Sequence, residues 1–154
     1  SMIVHQRNSL HNNQFDKIIG IRDVHPDDRS QIPKLKMLLP CRIPQKPIHI
    51  NFILCVMETE AWFIADENHY LKISPTLTKS FIKSKTGIDI DNLDFESIET
   101  PADKLNEIYN HAGELYEKTD VSLQRTIDAL DLYNFIIDLP EKIPSLKEFI
   151  TEFE

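Results

Sequence analysis

Glycine is scarce in this chain: Gly20, Gly87 and Gly113 are the only three in 154 residues. That leaves little room for a phosphate-cradling loop, and no G-x-x-x-x-G-K-[ST], G-x-G-x-x-G, G-x-S-x-G or H-E-x-x-H string occurs. Cysteine is nearly as rare. Cys41 and Cys55 form no C-x-x-C pair and are too few for a disulfide framework or a metal cage, so they read as buried or free thiols. No apolar run approaches the roughly 18 residues that a membrane span requires. The opening Ser1-Met2-Ile3-Val4-His5-Gln6 lacks the charged-then-apolar pattern of a signal peptide, and Ser1 before Met2 reads as a scar of tag removal. A cytoplasmic protein is expected. Positive charge is also short, with 17 Lys and Arg against 25 Asp and Glu, a net charge of -8. Sequence-independent nucleic-acid binding depends on basic residues that displace counterions. Contact with nucleic acid would need a local basic patch, a bound cation or a basic partner.

What remains is ordinary for a soluble domain: 41% hydrophobic and 27% charged residues. Residues 1–14 are polar and aperiodic and read as a flexible arm, followed from Phe15 to the end by a single domain. Lys17-Ile18-Ile19-Gly20-Ile21-Arg22 is a β-branched run that ends at Asp23, and the turn-forming His25-Pro26-Asp27-Asp28 follows. Pro33 to Leu39 suggests a short helix that Pro40 terminates. Ile48 to Val56 alternates and then becomes fully apolar, the pattern of a strand half covered and then buried. Met57 to Ala65 suits a helix that stops at Asp66 or Asn68. Strand, helix, strand, helix favours a parallel pair with a crossover.

The C-terminal half reads as helical. Thr100-Pro101-Ala102-Asp103 has a capping hydroxyl, proline at the first position and an acid three residues after the cap, predicting a helix to Asn110. Asp120 is the expected cap of another carrying Leu123, Ile127 and Leu130. A last one from Pro144 places Leu146, Phe149, Ile150 and Phe153 on one stripe.

Acidic residues are the candidates for chemistry. Asp23, with Asp27 and Asp28, falls at the C-terminal end of a strand, where open α/β sheets place their ligands. Clustered carboxylates suit Mg²⁺, a hard cation that prefers oxygen. The plainer reading is that Asp27 and Asp28 cap the next helix. Glu58 and Glu60 follow the second strand. On a helix they lie roughly 200° apart, so both cannot face one site. Glu60 shares a side with Met57, Phe63 and Ile64, where a carboxylate is costly unless it is paired or metal-bound. His25 and His49 could join as ligands or proton carriers. Asp89, Asp91 and Asp94 lack the glycine and glutamate of a calcium loop and read as a solvated turn.

Ile18-Ile19-Gly20-Ile21-Arg22-Asp23 followed by Glu58-Thr59-Glu60-Ala61-Trp62-Phe63-Ile64-Ala65-Asp66 resembles a bacterial and archaeal group of Toprim-like domains of unknown function. The Glu-Ala-Trp-Phe-x-Ala-Asp string is the specific part. Similarity continues through Tyr116-Glu117-Lys118-Thr119 and Ser145-Leu146-Lys147-Glu148-Phe149-Ile150. The resemblance implies an α/β fold with a small, mostly parallel Toprim-like sheet and a helical C-terminal half. It also implies a Mg²⁺ or Mn²⁺ site, with no organic cofactor. Toprim domains hold Mg²⁺ with a glutamate after the first strand and an Asp-x-Asp after a later one. Asp23 matches the first aspartate and His25 stands where the second belongs, with Asp27 or Asp28 as substitutes. Glu60 and Asp66 match acidic positions of the family's helix. The glutamate-bearing strand should precede Phe15, yet residues 1–14 offer as an apolar run only the stretch around Ile3-Val4 and contain no glutamate. The chain is therefore expected to lack that strand, and its unpaired sheet edge is expected to drive homo-oligomerisation.

Two functions follow from the resemblance. One is metal-dependent, nuclease-like phosphodiester chemistry on nucleic acid, beside an ATPase partner in bacterial defence. Asp23, Asp27 and Glu60 would be its catalytic and metal-binding residues, with His25, Asp28, Glu58 and Asp66 as weaker candidates. The other is an interaction module with a decayed or truncated active site.

Overall fold

A β-branched run and an alternating segment that turns apolar form the sheet, β1 over Lys17–Asp23 and β2 over His49–Cys55. In the computed structural model, which describes residues 9–42, 46 and 48–153, they pair in parallel. The register runs from Lys17 opposite His49 to Asp23 opposite Cys55. Parallel strands need a long connection. Here it holds a 3₁₀ turn, Arg29–Gln31, and helix α1, Ile32–Arg42. The strand, helix and strand expected from the sequence are therefore present. Pro40 does not terminate α1 but lies inside it. A proline this close to the helix end removes a donor where the ladder is already running out. Residues 9–12 are helical, whereas residues 1–8 of the expected arm lie outside the described residues.

Gly20 marks a close approach. A Cβ built on it would stand 2.8 Å from Cε1 of the Phe52 ring on the opposite strand. The ring therefore lies across the bare backbone of β1, which any larger residue would push aside.

The chain divides into two compact units at the end of β2, residues 1–55 and 56–154. The second is helical: α2 Glu60–Ala65, α3 Tyr70–Ile73, α4 Lys79–Thr86, α5 Pro101–Asn110, α6 Asp120–Ala129 and α7 Pro144–Thr151. All six residues of α2 are buried, so this short helix is the centre of its unit. Tyr70, Leu77, Ile82, Leu105, Ile108, Tyr109, Leu139, Ile143 and Leu146 supply other fully buried side chains of the unit. No helix among the described residues is long and apolar enough to cross a membrane.

Three local expectations need correction. The helix expected from Met57 starts at Glu60, because Met57 adopts φ 65°, a left-handed conformation that no helix contains. Glu58 therefore sits in the turn before α2, and the opposition of Glu58 and Glu60 on one helix does not arise. The hydroxyl of Thr100 makes no capping bond to α5. Thr119, not Asp120, caps α6, its Oγ1 accepting from the Ser122 amide at 3.3 Å.

Candidate functional site

In the first unit the expected acids are placed by the β1 end and the turn after it. Asp23 is the last residue of β1, opposite Cys55 and half-buried. The chain then turns, with the Asp27 amide donating to the Val24 carbonyl at 2.8 Å. Asp27 receives Arg22 Nη2 at 2.9 Å, with both side chains 43% exposed, a pair that contributes roughly 0–1 kcal/mol in water. Asp28 accepts the Ser30 amide at 2.8 Å and caps the 3₁₀ turn. That backbone donor, first among its causes, holds the Asp28 carboxyl below the usual range. Asp28 thus takes the capping role of the plainer reading. His25 and His49 are exposed.

The second unit gathers Glu58, Glu60, Tyr116 and Lys118. Glu58 is 6% exposed and Glu60 4%, so neither carboxylate is solvated by bulk water. Glu58 Oε2 accepts the Ala102 amide at 2.9 Å. Ala102 is the second residue of α5, so this carboxylate supplies the cap that Thr100 does not and meets the positive end of the helix dipole. Glu58 Oε1 lies 2.6 Å from Lys118 Nζ. The same ammonium is 3.7 Å from Glu60 Oε1, which also accepts the Tyr116 hydroxyl at 2.8 Å. Burial first, then the hydrogen bond to Glu60, pushes the Tyr116 phenol far above its ordinary pKa, so it stays a proton donor. The cluster is a half-exposed ammonium shared by two buried carboxylates, closed by a phenol and a helix N-terminus.

Asp66 is fully buried at the end of α2. Its Oδ2 accepts the Asp131 amide at 2.7 Å, and Oδ1 accepts Asn134 Nδ2 at 2.8 Å and the Asn68 amide at 3.2 Å. The protein itself thus supplies three donors to this buried carboxylate. Beside it, His69 is fully buried. Its Nδ1 is 2.5 Å from the Asp66 carbonyl oxygen. A carbonyl only accepts, so Nδ1 carries the proton and Nε2 is left buried with no hydrogen-bond partner among the described residues. Burial holds the imidazole pKa down to about 4.

The string that carries the resemblance is therefore a set of tethers. Glu60 holds Tyr116, Trp62 Nε1 donates to Ser145 Oγ at 3.0 Å, and Asp66 holds Asp131 and Asn134. The Trp62 ring also stacks at a tilt on Phe149, centroids 5.6 Å apart. Lys118, Tyr116 and Ser145 were not picked out from the sequence as partners of the buried acids and the tryptophan. They lie 56 to 83 residues from the groups they bond, and nothing in local spacing reveals such pairs. Among the described residues, no group of three or more His, Cys, Asp and Glu side chains is arranged to hold a metal ion. Comparison with protein-family models, with curated proteins and with solved structures gave no match.

Proposed function

We propose that this chain is a Toprim-related α/β protein that works as an interaction module in the cytoplasm and not as a phosphodiesterase. The observation that carries the reading is Lys118: its ammonium lies between Glu58 and Glu60, in the place a metal would need. Tested as Mg²⁺ ligands, the residues fit poorly, because each would first have to release a protein donor. Asp27 is paired with Arg22, Asp28 with the Ser30 amide, Glu60 with Tyr116 and Asp66 with three donors. Mg²⁺ gives up water reluctantly and favours carboxylates that are free to reach it. Calorimetric titration of the full chain with Mn²⁺ should give no heat that depends on Asp23 or Glu60. Saturable binding lost in both Asp23→Ala and Glu60→Gln would overturn the reading.

The second reading keeps nuclease-like chemistry on nucleic acid, with Mg²⁺ or Mn²⁺ at Asp23 and Asp27 and an ATPase as partner. What favours it is Asp23, a carboxylate at the C-terminal end of a parallel strand, the edge at which open α/β sheets receive ligands. Its test is cleavage of a labelled oligonucleotide in Mn²⁺ that disappears in Asp23→Ala.

A further inference from the structure

We infer that a groove on the second unit, between the helical turn Asn134–Asp138 and α7, docks a basic amphipathic helix of another protein. This rests on the interaction reading above and names the chemistry of its partner. The groove holds about 220 Å³ and is lined by Ile136, Ile137, Pro140 and Ile150, with Glu141 and Lys147 alongside them. A small-molecule site usually offers roughly 300–1,000 Å³, so this one suits side chains projecting from a larger partner. The turn Asn134–Asp138 is π-helical, a rare form that recurs at functional sites.

The inner side of the groove is fixed by the core. Trp62 packs against Phe135 in that turn, centroids 6.4 Å apart, and against Phe149 in α7, 5.6 Å away, so both walls rest on one buried ring. The Asp66 carboxylate also holds the Asp131 amide and Asn134 Nδ2 where the first wall begins. Walls anchored in this way need little reordering when a partner arrives. The outer side is apolar: Leu132, Tyr133, Ile136 and Ile137 are 64, 71, 46 and 52% exposed. Their spacing of three and four residues puts them on one helical face, and a contiguous apolar patch marks an interaction site where scattered apolar residues do not.

Charge decides the occupant. Residues 131–152, which build both walls, carry Asp131, Asp138, Glu141, Glu148 and Glu152 against Lys142 and Lys147. Over the whole unit the balance is nine Lys and Arg to twenty-one Asp and Glu. A second copy laid on this face would set the same acidic surface against itself, and like charges brought together across an interface count against a partner. A segment with Lys or Arg beside an apolar stripe meets both features at once. Between helical walls such a segment docks as a helix, its apolar face in the groove.

The test is fluorescence anisotropy of a labelled peptide of leucine and lysine, with leucines at i, i+3, i+4 and i+7, titrated with the full chain. The peptide should bind saturably and gain helical circular dichroism as it does. A scrambled peptide of the same composition should bind roughly tenfold more weakly, because it has the charge without the apolar face. Ile137→Lys should weaken binding of the patterned peptide by roughly tenfold, since it sets an ammonium in the groove against the peptide's own lysines. Val121→Lys makes the same change in charge at a residue of α6 that is 83% exposed and does not line the groove, and should bind as the parent does. Thermal melts check that the variants fold, and Ile136→Ser, a milder change to the same wall, should weaken binding likewise. No binding, equal binding of the scrambled peptide, or groove variants that bind as Val121→Lys does would each overturn the inference. So would sedimentation velocity in which the parent self-associates and Ile137→Lys does not, because the groove would then belong to a second copy. None of these measurements involves Mn²⁺, so failure here is distinct from failure of the interaction reading.

Discussion

Lys118 neutralises two buried carboxylates with one half-exposed ammonium. Replacing it with methionine keeps the stem and removes the charge that both carboxylates share. Breaking a buried pair destabilises by about 3–5 kcal/mol, but solvent reaches Lys118, so about 1–3 kcal/mol is expected for Lys118→Met. Urea unfolding measures it, and Glu58→Gln in the same background should recover part of the loss. His69 gives a pH prediction. Its pKa is about 4 in the folded chain against 6.5 for the free group, so the unfolded chain binds the proton more readily. The stability that this group governs is complete above pH 6.5, falls as the pH drops from 6.5 to about 4, and changes no further below that, a loss on the order of 3 kcal/mol. In His69→Phe, which still stacks on Tyr70 and does not titrate, unfolding free energies over that window should lose this part of their slope. That Glu60 needs either a partner or a metal was legible from its apolar neighbours. Its partner Tyr116, 56 residues away, was not.

At the scale of elements, the β1–α1–β2 unit was readable because β1 is a β-branched run, β2 alternates before it turns apolar, and the turn after Asp23 carries its own punctuation. The start of α2 was misread for a physical reason. Helix propensity runs unbroken through Met57, but the chain bends there at φ 65°, and tertiary anchoring of Glu58 outweighs propensity worth a few tenths of a kcal/mol per residue. Helix α4 went unread although its signals are local. Thr78 Oγ1 accepts the Phe81 amide at 3.2 Å, and Gly87 ends the helix at φ 75°. Thr78→Ala should destabilise by about 1 kcal/mol, seen as a lower denaturant midpoint with an unchanged slope. The cap of α5 comes from Glu58, 44 residues earlier, and no reading of Thr100 could have found it. Glu58→Ala should accordingly increase hydrogen-exchange rates in the first turn of α5 more than elsewhere in the second unit.

For the whole molecule, the net charge of -8 conceals a division. Residues 1–55 hold eight Lys and Arg against four Asp and Glu, and residues 56–154 hold nine against twenty-one, so the units stand at +4 and -12. Averaged over the chain, charge argues against polyanions, but the argument holds only for the second unit. The candidate acids divide likewise, Asp23, Asp27 and Asp28 in the first and Glu58, Glu60 and Asp66 in the second. The two units also differ in when they can form. The parallel pair is complete once residue 55 has been made, joining positions 32 apart such as Lys17 and His49. Trp62 finds Ser145 only 83 residues later. At a ribosomal pace of about 5–20 residues per second, the indole waits several seconds for its hydroxyl. Throughout that interval the nascent α2 segment, apolar apart from its terminal acids, is an open invitation to chaperones and to neighbouring polysomes.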